Sequence, residues 1–204
     1  MILPARPEVG KERYLSHSKG IGGKLRKIPE DFNVEEIISN NDKSHWIWSK
    51  ENDSGKHSIV KITANNWDTH VLIKELSRKL GIGQKAIGFA GTKDKRALTT
   101  QYFSLMAKPN KIKNLNIKNV EIEFKHKAIK PIRLGNLVGN KFIIKISDIK
   151  GKKKDIEKLA DELKEGFPNY FGIQRFGAVR PITHLVGKKI VMGDYEGAVW
   201  DYLS

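Results

Sequence analysis

Cysteine is absent from all 204 residues. Disulfide frameworks, thiolate metal sites and cysteine nucleophiles are therefore excluded. The six histidines are scattered along the chain, and none falls in a metal-ligand spacing such as HExxH. Long apolar runs are missing too. No segment approaches the roughly 18 consecutive apolar residues of a membrane-spanning helix, and the opening MILPARPEVGKERYL lacks the unbroken apolar stretch of a signal peptide. A cytoplasmic protein with no membrane association is expected. Acidic residues are the scarcer charge: 23 Asp plus Glu stand against 38 Lys plus Arg, a formal net charge of +15. Such an excess favours a polyanionic partner, because cations that neutralise phosphates release condensed counterions. A lysine-rich solvated surface is the alternative reading of charge alone.

What is present suffices for a core. Apolar residues make up 39% and charged residues 30%, and a chain of this length buries roughly 70% of its unfolded surface. No internal repeat or low-complexity linker interrupts it. Strands are expected at Trp46 to Trp48 and at Ser58 to Ile62, with the polar NDSGK between them as a hairpin turn. Leu72, Ile73, Leu76 and Leu80 fall at helical spacing, which predicts a helix from Thr69 to Leu80 with Asp68 or Thr69 as N-cap and Gly81 as its stop. A short apolar run at Lys85 to Ala90 and a strand from Gln101 to Met106 flank the polar GTKDKRALTT, which reads as an exposed loop. Further strands are expected at Glu121 to Phe124 and through Phe142, Ile144 and Ile146. A helix is expected from Asp155 to Glu165, with Ile156, Leu159, Ala160 and Leu163 on one face and Gly166 ending it. The stretch from His184 to Tyr202 reads as a short apolar segment (Ile190, Val191, Met192), a Gly-Asp break and the first turns of a helix. The abrupt end at Ser204 suggests an incomplete chain.

Four segments combine charge and glycine between apolar elements: LRKIPEDFNVEE (25–36), GFAGTKDKRALTTQ (88–101), IRLGNLVGNKF (132–142) and PNYFGIQRFG (168–177). By residue chemistry alone, Asp94 among Lys93, Lys95 and Arg96 is either a turn residue or a carboxylate whose charge its neighbours favour. Arg26 and Lys27 are either a solvated basic pair or partners for an anion. The aromatics of the last segment are either core or an exposed stacking surface. The run Lys150, Lys152, Lys153 and Lys154 reads as a solvated face ahead of a helix.

In this order and spacing, and continuing into RFGAVRPITHLVGKKIVMGDYEGAV, the four segments resemble the TruD family of tRNA pseudouridine synthases, its archaeal members in particular. The resemblance runs from about Tyr14 to Tyr202 but over only about the first half of the family's protein. It implies an α+β pseudouridine synthase fold, a bent, mainly antiparallel sheet with flanking helices, incomplete here. Residues 1–204 would be the N-terminal part of the catalytic domain, without the inserted RNA-contacting domain and the C-terminal half. A half sheet would leave an unpaired edge, so either a truncated product or one piece of a split enzyme completed by a separate chain is expected.

The implied reaction is isomerisation of uridine to pseudouridine, in this family at uridine 13 of the tRNA D-arm, with tRNA as partner and no cofactor or metal. Asp94 would be the catalytic aspartate. Arg26, three positions before Pro29, would face it, Arg suiting bidentate pairing with a carboxylate; Lys27 is the one-residue alternative. Phe171 would stack on the flipped base with Asn169 as its polar neighbour, Tyr170 being packing. Lys93, Arg96, Arg133 and Arg175 would contact the RNA, Arg133 from a segment that is otherwise scaffold. A competing reading is a non-catalytic RNA-binding remnant, which needs no competent pair of Asp94 and Arg26. A basic ribosome-associated protein would explain the charge but leave the four spaced segments as coincidence.

Overall fold

The structure, a computed structural model, describes residues 16–37, 51–167, 173–177 and 180–203. The chain divides into two compact units, Gly22–Lys150 and Met1–Ile21 with Gly151–Ser204.

The Gly22–Lys150 unit runs β1 (Lys24–Leu25), a single 3-10 turn at Pro29–Asp31, β2 (Phe32–Ile37), β3 (His57–Asn65), α1 (Thr69–Leu80), a second 3-10 turn at Gln84–Ala86, β4 (Ile87–Phe89), β5 (Leu98–Leu105), α2 (Pro109–Lys113), β6 (Val120–Ala128), β7 (Gly139–Ile144) and β8 (Ile146–Ser147). The main sheet has the order β6-β3-β5-β2-β7, with β4 also on β5, while β1 and β8 form a small sheet of their own. Only β2 against β5 is parallel; the other pairings are antiparallel. The fold is thus α+β with a mainly antiparallel sheet.

Helix α1 forms where the apolar spacing places it. Asp68 accepts the N–H groups of His70 and Val71 at 2.9 and 3.1 Å, and Gly81 closes the helix in the left-handed conformation at φ 66°, which glycine adopts without a Cβ penalty. Leu72, Ile73, Leu76 and Leu80 pack on Val60, Ile62, Ala64, Phe103 and Leu105 of the sheet. Removing the cap with Asp68→Ala is expected to lower unfolding free energy by about 1 kcal/mol. A urea titration showing a loss below about 0.3 kcal/mol would mean that packing alone sets this helix start.

The observed strands are longer than the apolar runs that announce them, because ladder pairing recruits their polar neighbours. The segment through Phe142 and Ile146 is two strands rather than one: the Lys145 N–H donates to the Asp31 carbonyl (2.7 Å), and the chain turns off the main sheet to pair β8 with β1. The expected strand at 46–48, and with it the expected hairpin, lies outside the described residues.

In the other unit, α3 (Lys153–Glu162) begins two residues earlier than the apolar face suggests, because the Asp155 carboxylate accepts the Lys152 N–H at 2.8 Å. That carboxylate also offsets the lysines at the positive helix end. Helices α4 (Thr183–Val191) and α5 (Tyr195–Leu203) follow. The short apolar segment expected at Ile190 to Met192 is thus the end of a helix, which Gly187 in its middle conceals at the sequence level. Lys189 joins the two by donating to Asp201 at 2.9 Å.

Candidate active site

Strand β2 sets the site's dimensions. Phe32 and Glu36 stand four residues apart on one face of it, about 13 Å along an extended strand. The Phe32 ring carries the Arg26 guanidinium, 3.8 Å from the ring centroid, a cation–π contact that fixes the plane of the charge. Arg26 has a left-handed backbone, φ 55°, which costs an L-residue roughly 1–2 kcal/mol. The strained backbone directs its side chain at the loop between β4 and β5, where Arg26 Nη2 lies 3.0 Å from Asp94 Oδ2. Half of the Asp94 side chain (51%) reaches solvent, against 32% for Arg26. Lys27, the alternative partner, turns instead to Asp148 at 3.0 Å. Hydrogen bonds from Lys27 and then Lys24 hold the Asp148 carboxyl below its usual range.

The loop bearing Asp94 is held at both ends. Gly135 donates its N–H to the Ala90 carbonyl at 2.8 Å, and Leu137 packs with Ala90, Ile59, Ala128 and Ile132. IRLGNLVGNKF is therefore a backbone clamp on the loop's start. Gly88 is required for it, since a Cβ there would collide with the Ile132 carbonyl. At the far end, Arg96 Nη2 donates to the Lys27 carbonyl (3.3 Å), tying the loop to the segment that carries Arg26.

Among the other expected site residues, Lys93 is turned inward onto Glu36 at 2.8 Å, with only 5% of its side chain exposed. Arg133 is exposed and lines a cleft with His57, Lys85, Met106 and Leu134 beside β4. Arg175 is exposed in the other unit, its carbonyl accepting the Thr183 hydroxyl at 3.3 Å. Phe171 and Asn169 lie outside the described residues. Phe32, Glu36, Thr69 and Gln101 were not legible as site residues; Phe32 carries the single available signal, an aromatic at the start of a strand six residues after Arg26. Among the described residues no group of three or more His, Asp or Glu is placed to hold a metal ion, and no helix is long and apolar enough to cross a membrane.

An exposed carboxylate on a loop clamped to a mixed sheet, paired with a stacked arginine, gives an α+β protein with a candidate carboxylate-centred site. Comparison with known proteins gives the class its particular form. The sequence pattern of the TruD family (tRNA pseudouridine synthase D) matches residues 8–204, and the chain belongs to that family. A Methanococcoides burtonii protein described as a tRNA pseudouridine synthase D is 43% identical over 97% of this chain and 44% of its own length. An Archaeoglobus fulgidus protein of the same description is 42% identical over 97% of this chain and 46% of its own length. The crystal structure of a Methanosarcina mazei protein described as TruD superposes with a TM-score of 0.82 at 42% identity, covering 96% of this chain and 44% of that one. The chain thus spans less than half the length of these relatives.

Proposed function

We propose that this chain is the N-terminal part of a tRNA pseudouridine synthase that converts uridine 13 of the tRNA D-arm to pseudouridine, with Asp94 as the catalytic carboxylate. The observation that supports the reading best is the 3.0 Å pair of Asp94 and Arg26 within the family's own segments. The reaction is an isomerisation. The C1′–N1 bond breaks, a C1′–C5 bond forms, the C5 proton leaves and N1 gains a proton. No external oxidant, reductant or cofactor is consumed. Positive charge develops at C1′ as N1 departs, and a preoriented carboxylate is the group that stabilises it. Arg26 and Phe32 hold that carboxylate in one orientation, so little reorganisation accompanies the step.

Phe171 would stack on the extruded base beside Asn169, and Arg96, Arg133 and Arg175 would meet phosphates. The excess of positive charge supports binding of RNA, and the reading puts the protein in the cytoplasm with its substrate. The proposal includes polypeptide equivalent to the C-terminal half of the family, packed on the β7 side of the sheet. Among the described residues strand β7 is the last of the sheet, and three successive large apolar residues on it, Phe142, Ile143 and Ile144, are exposed by 53, 59 and 44%. A continuous apolar run is the pattern of a strand covered on both faces, and an open apolar edge is one that proteins normally protect.

The test is incubation of the chain with unmodified tRNA transcript, alone and with the C-terminal half of the Methanosarcina mazei relative, followed by carbodiimide and primer-extension mapping. Pseudouridine at position 13 on addition of the half is the expected result. Tight tRNA binding without conversion in any combination would favour the non-catalytic remnant.

A further inference from the structure

The sheet has a break directly beneath the loop that bears Asp94. On one edge of β5 the parallel ladder with β2 stops at Glu35 opposite Thr100, and the ladder with β4 begins only at Phe89 opposite Phe103. Side chains fill the interval. The Tyr102 N–H donates to Glu36 Oε2 at 2.9 Å, and Gln101 Nε2 donates to the Gly91 carbonyl at 2.8 Å. The other carboxylate oxygen, Glu36 Oε1, accepts from Lys93 Nζ at 2.8 Å. Lys93 is also held by its backbone, its N–H donating to Thr69 Oγ1 at 3.0 Å, while that hydroxyl donates to Gln101 Oε1 at 3.3 Å. Glu36 has 2% of its side chain exposed and Lys93 5%.

We infer that Lys93 and Glu36 form a buried positioning pair that sets Asp94 against Arg26, and that Lys93 does not contact RNA. The inference rests on the proposed function for its catalytic consequence. Lys93 immediately precedes Asp94 and is fixed at both backbone and side chain, so the departure point of the Asp94 side chain is fixed with it. Glu36 and Phe32 project from the same face of one strand, so β2 positions both members of the Arg26–Asp94 pair: Arg26 through Phe32, and Asp94 through Glu36 and Lys93. A buried ammonium already neutralised by a carboxylate has neither the exposure nor the free charge to neutralise a phosphate.

The discriminating variant is Lys93→Met combined with Glu36→Gln. It leaves no unpaired buried charge, and the new amide oxygen still accepts the Tyr102 N–H. With the chain combined with the C-terminal half of the Methanosarcina mazei relative, turnover is expected to fall about 100-fold, the scale of an ångström-sized misplacement of a reacting group, with tRNA affinity and its salt dependence unchanged. In the chain alone, NMR should show the Asp94 carboxyl and Arg26 guanidinium signals displaced while amides of β3 and β6 keep their positions. Weakened tRNA binding, with the slope of log affinity against log salt reduced by about 1, would make Lys93 a phosphate contact and overturn the inference. Unchanged Asp94 and Arg26 signals would overturn it as well, whatever the activity. Loss of the proposed function itself would appear separately, as Asp94→Asn without effect on conversion.

Discussion

Asp94→Asn, measured in single turnover with the chain completed by the C-terminal half of the Methanosarcina mazei relative, is expected to reduce pseudouridine formation by at least about 10⁴-fold, the scale lost when a group acting directly on the reacting atoms is disabled. The substitution keeps the side chain's shape and its ability to accept a hydrogen bond from Arg26, so the loop should stay in place. On the proposed reading it removes the negative charge that would meet C1′ as the glycosidic bond opens. Binding of tRNA should be preserved within about threefold, because a single exposed carboxylate in a basic protein does not hold phosphates. Arg26→Met should lose less, about 10²–10³-fold, since it removes the orienting partner and leaves the reactive anion. Conversion by Asp94→Asn within tenfold of the unaltered chain would remove Asp94 from the mechanism and leave the family's chemistry without its carboxylate here.

How far these features could be read from the sequence depends on how local their causes are. Helix α1 was legible in its bounds, with Asp68 or Thr69 as its N-cap, since the cap, the apolar face and the stop at Gly81 all lie within fourteen positions of one another. The opposition of Arg26 and Asp94 has no local cause. It follows from the parallel pairing of β2 with β5 and from a strained backbone at Arg26, and only the resemblance to known synthases suggested it. Glu36 and Lys93 show why a charge inventory misleads. Each sits in a stretch of charged residues that reads as solvated, and each is buried, because the break in the β5 edge needs an acceptor for the Tyr102 N–H and that acceptor's charge needs a cation. Phe142, Ile144 and Ile146 err in the opposite direction. Their alternation promises one buried face, yet all three are exposed in this chain.

The second large effect is expected at Phe103, and its contrast with Phe142 tests where the sheet is complete. Phe103 is fully buried, paired with Val60 on one side and Phe89 on the other, in the cluster beneath α1. Its ring lies 6.3 Å from that of Phe89. Truncation to alanine removes the ring and leaves a cavity that a two-sided ladder cannot close, at a cost of about 3–5 kcal/mol. That is a large part of the roughly 5–15 kcal/mol that stabilises a typical domain, so a large fall in the urea midpoint is the expected outcome. Phe142 touches Phe32 edge-on, with 6.0 Å between ring centroids, but is more than half exposed. Phe142→Ala should therefore cost about 1 kcal/mol in the isolated chain. If the C-terminal half adds a strand beside β7, the same substitution should cost at least twice as much once that half is bound, because the ring then loses neighbours on both sides. Equal costs at Phe103 and Phe142 in the isolated chain would mean that β7 is already covered, and would place the attachment of the other half elsewhere on the sheet.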